Sequence, residues 1–317
     1  MHEIFHNIGV FFGHLADVGW AWLGIALLCH LTKLTCVSRA WRNILATSYP
    51  EATVRWRSVF GAVLARVGVN AIIPARGGDA VGLYIIRRRV EGATYPALAT
   101  SLVALTLFDS VLAACFIVFA LISGALPGRT VLERLPGFDF HWFVVHFRGT
   151  LIVAAIVLFV LLVLLLWYAE QLADFRRRLA QGFAVFGDRS RYFGHVVPWQ
   201  LADWSLRLAT IFCFLNAFHV AATLHNAILV QVTQSLAVLF PISPSGIGTE
   251  QALLLYIFRG KAAKTVLLSF SVGMRVTLII FNALLGFTAI FLMLGTLRWR
   301  RRIKADPLRR EEVQQGS

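Results

Sequence analysis

Long apolar runs separated by short basic stretches make up most of the chain. They cover residues 18–37, 97–125, 150–168, 199–222 and 265–297. A helix needs about 20 apolar residues to cross the hydrocarbon core, and each of these runs meets that length. Two further runs, 58–73 and 227–242, are shorter and stop abruptly. The first stops at "PARGGD" (74–79), resumes as "AVGLYII" and ends on Arg87, Arg88 and Arg89. The second stops at "PISPSGIGTE" (241–250) and returns through "QALLLYIF". Basic residues lie on both flanks of the first broken run, so the segment is expected to enter the membrane, turn at depth and come back. The pattern predicts an all-α polytopic membrane protein with about five full spans and two re-entrant helical hairpins.

The order span, hairpin, span occurs twice. Asp79 follows the first break and leads into "AVGLYIIRR"; Glu250 follows the second and leads into "QALLLYIFRG". This predicts one integral membrane domain over 1–317, with a first repeat at 18–125 and a second at 199–297. A span and a basic amphipathic linker at 150–195 join them, and a basic cytoplasmic tail occupies 298–317. The linker, with "RRR" at 176–178, is expected to lie as an amphipathic helix on the membrane surface.

Charge sets the orientation. The first 32 residues hold no Lys or Arg, whereas Arg39, Arg42, Arg55 and Arg57 follow the first run. The positive-inside rule then places the N-terminus outside and the C-terminus in the cytoplasm. The same absence leaves no basic region for a cleavable signal peptide. The first hairpin would enter from inside and the second from outside, as an inverted-topology repeat requires. The last run is long enough to require a tilt, or a kink near Gly273.

Composition agrees with a membrane protein. The chain is 58% hydrophobic and only 15% charged, against about a quarter charged in soluble domains. A net charge of +14 would suggest nucleic acid in a soluble protein. Here the positive residues sit between apolar runs and in "RWRRRIK" (298–304), where they face anionic lipid headgroups. Membrane lipids are therefore the expected partners, and nucleic acid is not. Cys29, Cys36, Cys115 and Cys213 lie in or beside apolar runs without a C-x-x-C spacing, and read as core residues.

The two breaks carry the candidate chemistry. Irregular backbone persists at membrane depth only inside protein or beside water. Pro74 bars a continuing helix, and Gly77 and Gly78 permit a sharp turn. A helix restarting near Asp79 would present open N–H groups and the positive end of its dipole, with Asp79 able to cap it. Arg76 would add a planar fork suited to phosphate, and Asn70 lies just before the break. The second break repeats these parts. Pro241 and Pro244 end the incoming helix, Gly246 and Gly248 loosen the backbone, Ser243, Ser245 and Thr249 offer hydroxyls, and Glu250 opens the outgoing helix. Asp109 interrupts an apolar span, and Arg275, inside the last run, is its expected partner. These residues form the candidate substrate-binding set. The plainer reading is a pair of tight turns with capping acids. Asp203 and Arg207, four apart, read as an intrahelical pair, and Arg39 and Arg42 as headgroup anchors. "HEIFH" (2–6) matches a zinc-protease motif, but no soluble catalytic domain follows it. No catalytic residue, metal or cofactor is expected.

With these residues in view, the chain resembles the lysylphosphatidylglycerol synthase transmembrane family, also called flippase-like. "SRAWRNIL" is similar to the family's R-x-x-R-W segment with Trp41 displaced. "NAIIPARGGDAVGLYIIRR" is similar to its N-x-x-x-P-A-R-x-G-E stretch, with Asp79 for Glu. "PISPSGIGTEQA" is similar to its P-x-x-P-G-G-I-G-x-x-E stretch. The likeness covers nearly the whole chain. One departure is that Leu105 and Thr106 stand where the family often has Glu-Arg ahead of Asp109. The resemblance implies the lipid-translocating part alone, without the aminoacyltransferase part that follows it in the lipid synthases. It implies a bacterial inner-membrane protein that moves a phospholipid, glycolipid or hopanoid-type lipid between leaflets. Two other readings stay open: an integral membrane transferase using Asp79 or Glu250 as general base, and a non-catalytic partner of lipid-synthesis enzymes.

Overall fold

The computed structural model describes residues 18–73, 77–122, 179–239, 248–259 and 263–294, and their regular structure is helical. The helices are α1 Trp20–Ser48, α2 Trp56–Ile72, α3 Gly77–Arg89, α4 Tyr95–Ile122, α5 Arg189–His195, α6 Val197–Ala217, α7 Leu224–Leu239, α8 Thr249–Ile257 and α9 Lys264–Leu294. A 3-10 turn, Ala184–Phe186, precedes α5. The expected span at 150–168, the tail at 298–317 and the "HEIFH" stretch lie outside the described residues.

Local sequence sets the helix ends. α1 runs past the expected end at residue 37, because nothing between there and Pro50 breaks a helix. Its arginines are held by protein rather than in a loop. Arg39 stacks 4.4 Å over the Trp56 ring, and Arg42 Nε donates to the Val54 carbonyl at 3.2 Å. α2 stops at Ile73, whose extended backbone (φ −98°, ψ 115°) is the conformation a residue before proline adopts. The linker departs from the expected single amphipathic helix over 170–195. Among its described residues, helix gives way to the 3-10 turn. It restarts only after Asp188, whose carboxylate accepts from Arg191 N at 3.0 Å. Gly182 packs against Ala97 and Thr100 of α4, and Val185 is fully buried, so this stretch is docked on the bundle.

Two antiparallel crossings organise the bundle. In the first, α1 runs against α6. The Gly19 amide donates to the Ala217 carbonyl at one end (2.9 Å), and the Asn43 amide to the His195 carbonyl at the other (2.5 Å). In the second, α2 runs against α9. Gly68 lies on Gly286, and Gly61 faces Met293, so α2 ends near the middle of α9. α2 and α3 then form an antiparallel hairpin, with Gly78 against the Arg66 carbonyl and Gly82 against the Ala62 carbonyl. α9 runs unbroken through Gly273, where the missing side chain makes room for the Phe218 ring. One apolar core surrounds Trp41, Ile85 and Leu98, and a second surrounds Phe214, Phe258 and Phe270.

The helix contacts have a regularity. Exchange α1 with α6, α2 with α7, α3 with α8 and α4 with α9. The α1–α6 pair then maps onto itself, and each other packed pair among these eight helices becomes another packed pair: α2–α9 becomes α4–α7, α2–α3 becomes α7–α8, and α1–α4 becomes α6–α9.

α1, α4 and α9 each hold a stretch long and apolar enough to cross a membrane. Val103, Leu107 and Val111 on α4, and Ile280, Leu284, Phe287 and Phe291 on α9, form exposed stripes at helical spacing. Water would penalise such faces and lipid does not. The protein is a multi-pass membrane protein.

The glycine crossing is testable. A Cβ on Gly68 would lie 2.5 Å from the Gly286 Cα and the Asn282 carbonyl, whereas one on Gly24 meets nothing within 4 Å. Gly68→Ala should lower the thermal unfolding midpoint of the purified protein, at a cost of about 1–3 kcal/mol. Gly24→Ala should leave the midpoint unchanged or slightly raised.

Candidate functional site

A helix break inside a membrane leaves N–H groups that need protein partners. At the first break Asn70, in the last turn of α2, provides them. Its Oδ1 accepts from the Gly78 amide at 2.7 Å, and its Nδ2 donates to Asp79 Oδ1 at 3.0 Å. Gly78 has to be glycine, because a Cβ there would collide with the Arg66 carbonyl and Asn70. Asp79 sits in the first turn of α3 rather than ahead of it, with Arg66 Nη1 of α2 at 3.8 Å from Oδ1. Arg66 in turn lies 5.8 Å from the Trp41 ring.

The second break is built alike. Gly248 has φ +93°, a conformation glycine adopts at no steric cost. Its amide donates to Gln251 Oε1 at 2.7 Å, and Gln251 Nε2 donates to Ser271 Oγ of α9 at 3.1 Å. Glu250 occupies the first turn of α8 and is buried. Gln234 Nε2, from the incoming α7, donates to Glu250 Oε1 at 3.4 Å, and Arg275 Nη1 of α9 donates to Oε2 at 3.0 Å. In both halves an acid at the start of the outgoing helix therefore receives an amide from the incoming helix and an arginine.

Asp109 does not pair with Arg275, contrary to the sequence expectation. Helix packing commits Arg275 to Glu250 and turns Asp109 toward α6, where Trp204 Nε1 donates to its Oδ1 at 2.8 Å. Asp203 and Arg207 form the expected i, i+4 pair at 3.2 Å. The packing extends it into a cluster in which Lys33 of α1 interacts electrostatically with Asp203, Asp109, Arg207 and Arg66. His30 Nε2 meets Asn282 Oδ1 of α9 at 2.8 Å nearby.

Of the expected site residues, Asn70, Gly77, Gly78 and Asp79 come together at the first break, and Gly248, Thr249, Glu250 and Arg275 at the second. Asp109 belongs to the central cluster. Pro74, Arg76, Ser243, Ser245 and Gly246 lie outside the described residues. Arg66, Gln234, Gln251 and Lys33 join these constellations without having been expected there. For Arg66 and Lys33 the available signal was a basic residue inside an apolar run. Along α9 the two sites fall on either side of the middle: Arg275 serves the second, and Gly286, which meets Gly68 of α2, lies toward the first, about 16 Å away at 1.5 Å per residue.

The second ion pair gives a stability test. Its side chains are 24% and 10% exposed for Arg275 and Glu250. Arg275→Met should destabilise the folded protein by about 3–5 kcal/mol, because it strands a buried carboxylate. Glu250→Gln combined with Arg275→Met should cost clearly less than Arg275→Met alone, read from unfolding midpoints.

The model of the lysylphosphatidylglycerol synthase TM region matches residues 7–286. No curated protein and no solved structure matches the chain. The matched stretch holds both helix breaks and the Asp79, Asp109, Glu250 and Arg275 positions. A membrane-embedded bundle with a charged layer half-way along its spans is in keeping with a lipid-related role, and the chain belongs to the lysylphosphatidylglycerol synthase TM-region family.

Proposed function

We propose that this protein moves a polar or anionic lipid between the leaflets of a bacterial inner membrane. The observation that carries the reading is the repeated acid–amide–arginine arrangement at the two helix breaks. A lipid headgroup crossing the membrane must pass about 30 Å of hydrocarbon. Charged and amide groups at mid-depth lower that barrier by replacing water around the headgroup, while the tails stay in lipid along the exposed apolar stripes of α4 and α9.

The exchange pattern of helix contacts supports an inverted-topology repeat with α1–α4 as one half and α6–α9 as the other. In that arrangement the two hairpins approach the middle from opposite faces, as in transporters built from such repeats. The ends of α9 support it. Arg89 Nη2, at the close of α3, donates to the Met293 carbonyl at one end of α9, while α8 closes beside the other end, near Lys264. Both acids are held by arginine and amide partners. That arrangement suits the binding of charge more than general-base chemistry, and it ranks the transferase reading second.

Transport can be read in proteoliposomes containing tail-labelled phosphatidylglycerol or a tail-labelled glycolipid, by chemical quenching of the outer leaflet. Asp79→Asn and Glu250→Gln should each reduce lipid movement to the protein-free background at unchanged incorporation. An amide hydrogen-bonds but carries no charge. Arg76→Lys should also fail, since an ammonium does not reproduce the guanidinium fork. Wild-type rates in both amide variants would remove the acids from the mechanism.

A further inference from the structure

The central cluster lies outside both helix breaks, and its geometry sets it apart from a plain structural ion pair. The α1–α6 crossing is tied at Gly19–Ala217 and at Asn43–His195, so its midpoint brings Lys33 opposite Asp203 and Trp204. Arg207 lies one turn beyond, its guanidinium 4.4 Å over the Trp204 ring. Trp204 is fixed on its other side by the hydrogen bond to Asp109.

The cluster is incompletely bonded. Asp203 is only 1% exposed, and its Oδ2 accepts from Arg207 Nη2 at 3.2 Å. Its Oδ1 is buried with no hydrogen-bond partner, and so is Arg207 Nε, among the described residues. Lys33 feels Asp203, Asp109 and Arg207 electrostatically, but its ammonium forms no hydrogen bond and no ion pair within 4 Å among the described residues. Two cations thus share one space with two carboxylates, one of which has an open oxygen. A buried network left part-satisfied is costly, and in native proteins it calls for an explanation such as a ligand.

We propose that Lys33, Arg207 and Asp203 form a proton-linked binding site for a lipid-borne phosphate at the crossing of α1 and α6. This rests on the transport reading and adds to it a point midway along the path. With Asp203 ionised, the two cations are already neutralised, and an incoming phosphate meets like charge. A proton taken from solution onto Asp203 Oδ1 removes one negative charge and turns that oxygen into a hydrogen-bond donor. The phosphate can then accept from Asp203, Lys33 and Arg207 together. Of the two acids, Asp203 is the one with a buried oxygen left without a partner, whereas Asp109 holds the Trp204 indole on Oδ1 and has no such buried open oxygen. Lys33 and Cys36 from α1, Asp109 from α4 and Arg207 from its own helix face Asp203. Beyond them, His30 is bonded to Asn282, and Arg275, in the middle part of α9, pairs with Glu250.

The test is calorimetric binding of soluble dihexanoyl-phosphatidylglycerol to the purified full chain over a pH series. Binding should tighten as pH falls, approaching about tenfold per pH unit for one linked proton. Asp203→Asn should bind with that pH dependence abolished. Lys33→Gln should bind at least tenfold more weakly at every pH, while Lys33→Arg, which keeps the charge, should bind like wild type. Unfolding midpoints confirm that each variant is folded. The proposal is overturned by any of three results: no binding to the wild-type chain, an unchanged pH slope in Asp203→Asn, or wild-type affinity in Lys33→Gln. Inorganic phosphate binding as tightly as the lipid would overturn the lipid-borne assignment. A wild-type protein that binds with the pH slope but moves no lipid counts against the transport reading alone. One that moves lipid without pH-linked binding counts against this site alone.

Discussion

A peptide N–H without a partner in hydrocarbon costs several kcal/mol, and this chain restarts a helix twice within an apolar bundle, at Gly77 and at Thr249. Much of the local structure follows from answering that cost. In both halves a side-chain amide takes the exposed backbone N–H and passes its own N–H₂ onward: Asn70 from Gly78 to Asp79, and Gln251 from Gly248 to Ser271. For the first bridge to form, α2 and α3 must lie close, which Gly78 and Gly82 permit. The acids that follow are then brought to their arginines, Asp79 to Arg66 and Glu250 to Arg275. The same contacts that close the breaks therefore also assemble the candidate site.

Each of the long helices carries a charge near its midpoint. Lys33 falls near the centre of α1, Asp109 of α4, Arg207 of α6 and Arg275 of α9. A charge there is the most expensive place for one in a bilayer, and it persists only when paired or facing a polar path. The α1–α6 crossing gathers three of the four, and α9 brings the last to Glu250. The outer faces of α4 and α9 stay apolar, so the charged layer is enclosed by helices that present lipid-compatible surfaces outward.

The helical membrane class and the two breaks were legible in the sequence, because run length and the Pro/Gly clusters report directly on local backbone. The acids at the starts of α3 and α8 were legible for the same reason. Pairings between helices were not. Asp109 and Arg275 both sit mid-span, and nothing local says that packing turns one toward Trp204 and the other toward Glu250. Lys33 and Arg66 lay in apolar runs without a partner in reach along the chain, so their place in the polar layer emerges only from the α1–α6 and α2–α3 registers. The extension of α1 past residue 37 is not legible locally, because basic residues after an apolar run suit headgroups equally well, while in the fold Arg39 and Arg42 find their partners on Trp56 and Val54.

The account depends on the two broken hairpins approaching from opposite faces of the membrane. Arg88 lies beside Arg89, which bonds the C-terminal end of α9, and Arg259 follows α8 near the N-terminal end of α9; both residues are exposed. The direct measurement is labelling of single cysteines at these two positions, in a background lacking the four native cysteines, with a membrane-impermeant thiol reagent on intact cells and on inverted vesicles. The account predicts that the position 88 cysteine labels only from the cytoplasmic face and the position 259 cysteine only from the outer face. Labelling of both from the same face would contradict it.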